Sequence, residues 1–149
     1  MKNLLNPEVK ADILKRVDTI TPDHKSLWGK MNSTQSLRHM AMAFQTATGE
    51  VKFTRASESK IPKWLMKFFL LSMKPPKGGA ETFLEMKMVE NKTPLHDFET
   101  ERKNLKQAIC DFGSKEFLSE NTLAGKFTRD DWGKLNYNHT DHHLRQFGV

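Results

Sequence analysis

Cysteine is almost missing from this chain: Cys110 is the only one among 149 residues. An internal disulfide is therefore excluded, and no second thiol exists to build a zinc knuckle. Cys110 itself reads as a half-buried helix residue. Long hydrophobic runs are missing too. The longest, "WLMKFFLLSM", is interrupted by Lys67 and falls far short of the roughly 20 residues a membrane-spanning helix needs. The opening "MKNLLNPEVK" has neither an apolar core nor a small-residue cleavage site, so a cytoplasmic protein without a secretory signal is expected. The excess of 24 Lys and Arg over 18 Asp and Glu gives a net charge of +6, but the basic residues are scattered among acids with no stripe interleaved with aromatics. Nucleic acid and membrane are accordingly not expected as partners. Neither a Gly-x-Ser-x-Gly elbow, nor a phosphate-binding glycine loop, nor the His-Glu-x-x-His of zinc proteases occurs.

What is present reads as helix. The length predicts a single domain, residues 1–149, large enough to bury a core. Asn6-Pro7 opens a first helix with Val9, Ile13, Val17 and Ile20 at helical spacing, running to about Thr19. Asn32 with Gln35 three residues on forms a capping box for a second, whose stripe is Leu37, Met40, Ala41 and Phe44 and whose stop is Thr48-Gly49. A third is expected from Thr93-Pro94 to near Gly113, and a last from Thr128 or, more cautiously, Asn136. Between the second and third, residues 50–92 form a long irregular stretch in which Pro62 starts a short helix that Pro75-Pro76 and Gly78-Gly79 end. Its Trp64, Phe68, Phe69, Leu70 and Leu71 carry more apolar surface than a solvated loop. A fifth helix capping the bundle near the site is the favoured reading; a dimer contact, or a membrane-surface patch using Lys60, Lys63, Lys67 and Lys74, are the others. "EVKFT" and "TFLEMKMVE" alternate briefly, too little to argue for a sheet, and the fold class is all-α.

Three of six histidines fall within five residues, "HTDHH". On a wheel of 100° per residue Trp132, Leu135, His139, His143 and Gln146 share one face, with Lys134, Asn138, Asp141 and Arg145 on the opposite, solvated one. An inward stripe of imidazole and amide needs partners, because each unsatisfied buried polar group costs about 1–3 kcal/mol. A divalent ion would supply them. His139 and His143, at i and i+4, are separated by about 6 Å along the axis and both reach an ion at about 2.0–2.1 Å from nitrogen. His142 points away and serves as a hydrogen-bonding neighbour. A third ligand comes from an internal echo: Trp28, Gly29, Lys30, Asn32 and His39 recur 104 residues later as Trp132, Gly133, Lys134, Asn136 and His143. A pseudo-dyad relating two helical pairs would bring His39 to the same midline. His24 and His96 are the alternatives, but both precede or begin a helix and look like loop or first-turn residues. Three neutral nitrogens leave positions open for water, the arrangement of a catalytic rather than a closed structural site. Imidazoles suit several metals alike.

Gln35-x-x-x-His39 with Met40, His139-x-x-x-His143-x-x-Gln146 and the ending "HTDHHLRQFGV" resemble the DinB/YfiT-like superfamily of metal-binding helical bundles, in a bacterial branch described only as a domain of unknown function. The resemblance implies a four-helix bundle in up-down-down-up order, here with the insertion between helices two and three, and frequent homodimers. It also implies His39, His139 and His143 as ligands of zinc or nickel. Members with assigned activities include thiol-dependent transferases and isomerases, and hydrolase activity has been proposed for others. The expectation is thus a metal-dependent transferase or hydrolase acting on a small molecule, with a low-molecular-weight thiol as a further cofactor. Gln35 and Gln146 would orient ligands or substrate. The alternative is a non-catalytic metal- or ligand-binding bundle acting through protein interaction.

Overall fold

The computed structural model describes residues 2–52, 61–77 and 83–149. It is mostly helical, in the order α1 (Pro7–Thr19), α2 (Ser33–Ala47), α3 (Lys63–Ser72), a 3-10 turn (Leu84–Met86), α4 (Phe98–Asp111), a two-stranded hairpin, and α5 (Arg129–Gln146). An all-α fold was the expectation, and the helix starts follow the caps that suggested it. The Asn6 side chain accepts from Glu8 and Val9 with Pro7 at the first position. Asn32 and Gln35 form the reciprocal capping box. Thr128 and Asp131 form another, which makes α5 one continuous helix rather than one starting at Asn136.

Several expectations need correction. The third long helix begins at Phe98, not at Thr93-Pro94, because Asp97 caps it by accepting from Thr100 N–H, and Glu101 takes the N–H of His96. Leu95 therefore lies ahead of the helix. The brief alternation of "TFLEMKMVE" was too little to argue for a sheet, and residues 83–90 form no strand: Met86 and Met88 are buried in alternation, but the backbone turns on itself, Met88 N–H donating to Met86 O. The hairpin that does form, Glu120–Asn121 against Gly125–Lys126, was not foreseen. Asn121 Oδ1 accepts from Leu123 and Ala124 N–H, and Gly125 takes the left-handed φ of 70° the turn requires. Cys110 is exposed, not half-buried. Gly78, Gly79, Lys60, Thr82 and the end of "EVKFT" lie outside the described residues.

The core is built largely from the predicted stripes: Ile13, Val17 and Ile20 of and after α1, Leu37, Met40 and Phe44 of α2, Leu105 and Ile109 of α4, and Trp132 of α5, joined by Leu144 of α5, which lay outside the predicted stripe. Each such side chain stabilises the fold by about 1.5–3 kcal/mol through burial. α5 touches α1, α2 and α3. This explains why its predicted solvated face is not solvated. Asn138 is buried, its amide donating to Leu70 O and Met73 O at the end of α3, and Asp141 is paired with Arg16 and Arg145. A helix in contact with three others carries polar residues on every side, and neighbours satisfy Asn138 and Asp141, which a two-faced wheel does not anticipate. α3 is anchored at its middle by Lys67, whose ammonium donates to Asp131 and to Lys126 O. Trp64 and Phe68 on its outer side stay exposed. Among the described residues no helix is long and apolar enough to cross a membrane.

Candidate metal centre

Three histidines meet where α2 crosses α5. His39, His139 and His143 each offer a ring nitrogen, all within 4.8 Å of one another. Ring centroids lie 4.6 Å apart for His39–His143 and for His139–His143, and 5.0 Å apart for His39–His139. No other group of three potential ligands stands among the described residues. The i,i+4 spacing on α5 and the position of His39 on the facing side of α2 bring the three together.

Their tautomers follow from the partners. His39 Nδ1 lies 3.2 Å from Met86 O. A carbonyl only accepts, so the proton is on Nδ1 and Nε2 presents its lone pair. His143 Nδ1 lies 2.9 Å from Gln146 Oε1, and the amide is held in that sense because its Nε2 donates to Trp28 O at 2.5 Å. His143 is therefore protonated at Nδ1 as well. Nε2 of His39 lies 3.1 Å from Nε2 of His139. Two nitrogens bound at about 2.0–2.1 Å to one ion are separated by about 3.0 Å at a right angle and about 3.4 Å at the tetrahedral angle, so this spacing fits a shared cation. His139 Nδ1 is buried without a partner.

Burial keeps all three imidazoles neutral, the form that binds metal. It lowers His39 to about 4 and His143 to about 3. Lost hydration drives His139 well below the usual histidine value, with the neighbouring His143 and His39 adding to it. His142 stands beside the cluster, its ring 5.0 Å from His143 and 5.9 Å from Trp28. It is outside the ligand set, as expected, and is lowered by burial. Its Nδ1 is buried without a partner.

The other predicted residues divide. Gln146 is in contact with the site through His143. The Gln35 side-chain oxygen is spent on the Asn32 N–H at the start of α2, and Gln35 is absent from the walls of the cavity onto which the histidines open. His24 accepts from Thr21 N–H in the loop before α2, and His96 is an exposed residue ahead of α4. The echo does not extend to the backbone: residues 28–32 are non-helical, with bends at 28–30, whereas 132–136 are helical. Unforeseen were Met86 and Trp28 as sources of orienting carbonyls. The one signal was Gly29 after Trp28. Its φ is +80°, and a Cβ there would collide with the Gln146 amide nitrogen.

The histidines border a cavity of about 1120 Å³ walled largely by apolar side chains. No protein-family model matches this chain, and no curated protein or solved structure matches it either.

Proposed function

We propose that His39, His139 and His143 hold one divalent ion, zinc or nickel, and that the chain is a metal-dependent enzyme acting on a small molecule by hydrolysis or by transfer to a low-molecular-weight thiol. The observation that carries the reading is the convergence of neutral imidazoles, with the Nε2 atoms of His39 and His139 3.1 Å apart, on the wall of a large cavity. When bound, such an ion supplies a Lewis acid that lowers the pKa of a water or thiol toward neutrality. The chain's own residues do the rest. Met86 O and Gln146 Oε1 hold two of the rings in the ligand tautomer and raise their basicity. His142, which lines the cavity with its ring 5.0 Å from that of His143, is the group assigned to accept a proton from a molecule held there. The apolar walls exclude water and strengthen these interactions.

The DinB/YfiT-like arrangement belongs to the same proposal. It is supported by residue pairs that set helix directions. Leu4–Gly133 and Arg16–Asp141 align α1 with α5, whereas Lys10–Cys110 and Asp18–Lys106 set α4 against α1. Trp28–Gln146 and His39–His139 set α2 against α5. Up-down-down-up is the order these pairs favour, and a homodimer is the assembly the resemblance implies.

The test is to strip the protein with a chelator, reload it with zinc or nickel, and follow both ester or amide hydrolysis and addition of thiols to a panel of electrophiles. Turnover that returns with metal and falls at least 100-fold in His142→Ala with metal content unchanged supports the reading. Full metal content with no turnover of either kind favours the second reading, a binding bundle that works through the exposed Trp64 (72 %) and Phe68 (54 %) of α3.

A further inference from the structure

The cavity holds more than a metal site needs. Its volume, about 1120 Å³, exceeds the roughly 300–1,000 Å³ of ordinary small-molecule pockets. One part of its wall is polar: the three histidines, His142, Trp28 and Gln146. Much of the rest is apolar and includes Met73, Met86, Met88, Phe69, Leu70 and Leu135, which come from α3, from the chain after it and from α5. The unbranched, polarisable side chains of its methionines conform to a flexible aliphatic partner.

Charge indicates the head of that partner. Lys30, Lys74 and Lys87 face Glu90 and Glu120 around the cavity, a balance of one positive charge before any metal is counted. Trp28 lines the same part of the wall. Lys77 lies 4.9 Å above the Trp28 ring, adding a cation at the same end. An anionic group fits this surplus of positive charge.

We infer that the cavity binds an anionic amphiphile, an aliphatic carboxylate of medium to long chain, with its head at the histidine cluster and Trp28 and its tail along the apolar wall. For its head group the inference rests on the metal reading above; the tail's share does not.

Calorimetric titration of hexanoate, octanoate, decanoate and dodecanoate, below their micelle thresholds, into the zinc-loaded and the chelator-stripped full chain tests it. With each methylene buried, Kd is expected to fall about 15-fold per two-carbon step. Stripping should weaken every member by a common factor and leave the step unchanged. Phe69→Asp, at a partly exposed position of α3, should weaken decanoate at least 10-fold without changing metal content. A protein that retains its metal and binds all four lengths alike, or none of them, overturns the inference and leaves the metal centre standing. A protein that holds no metal yet shows the chain-length step overturns the metal centre and leaves the tail site standing.

Discussion

At the scale of the residue, everything turns on which nitrogen of each imidazole is free. Met86 O and Gln146 Oε1 decide this for His39 and His143 by accepting their Nδ1 protons. Replacing Gln146 with Leu removes the acceptor, and metal affinity should drop about 10–100-fold, as measured by competition with a chromophoric chelator. Gly29→Ala acts on the same bond from behind, because the new Cβ must displace the Gln146 amide and a left-handed φ is strained for any residue but glycine. Its loss of affinity should match that of Gln146→Leu, and the two changes together should cost little more than one. Of this site two of the three candidate ligands were legible as an i,i+4 pair of histidines, and Gln146 beside them was legible too. The other orienting groups were not, because they are carbonyls of Met86 and Trp28, and a carbonyl leaves no trace in residue type. Gln35 shows the converse: a residue type suited to orienting a ligand whose oxygen serves a helix cap three residues away.

At the scale of the element, α3 shows how a helix with no fully buried side chain is held. Two backbone carbonyls at its end are bound by Asn138 and its middle is tied to Asp131 by Lys67. Asn138→Ala should destabilise the protein by about 1–2 kcal/mol and raise amide hydrogen exchange in residues 63–72 well before that of α2 or α5, as read by exchange mass spectrometry. Helix starts were readable at Asn6, Asn32 and Thr128, each with a capping side chain at the boundary. The start of α4 was misread because Thr93-Pro94 carries the same kind of signal as Asp97, and it is the Asp97 cap, with Glu101 accepting from the His96 N–H, that decides between them. The polarity of Asn138 was misread for a related reason. Its face meets α3, an element whose position no pattern within α5 records.

At the scale of the whole molecule, burying three imidazoles makes stability depend on pH. Histidines in the unfolded chain protonate near 6.5, whereas burial holds His39 to about 4 and His143 to about 3. As pH falls from about 6.5 toward 4, the unfolded state takes up protons that the folded state refuses, so stability is lost through that window and is flat above it. Urea midpoints of the metal-free protein should trace this fall, and a chain with His39, His139 and His143 all changed to Gln should show a shallower one. Bound metal adds to stability by mass action, and at a thousandfold excess over Kd chelation should lower the melting temperature by on the order of 10 °C. The most direct measurement is the metal content of the purified chain by elemental mass spectrometry, alongside His39→Ala, His139→Ala, His143→Ala and His142→Ala. The account predicts about one ion per chain in the parent and in His142→Ala, and less than about a tenth in each of the other three. Metal retained at full stoichiometry in His39→Ala, or its absence from the parent after reloading, would contradict it.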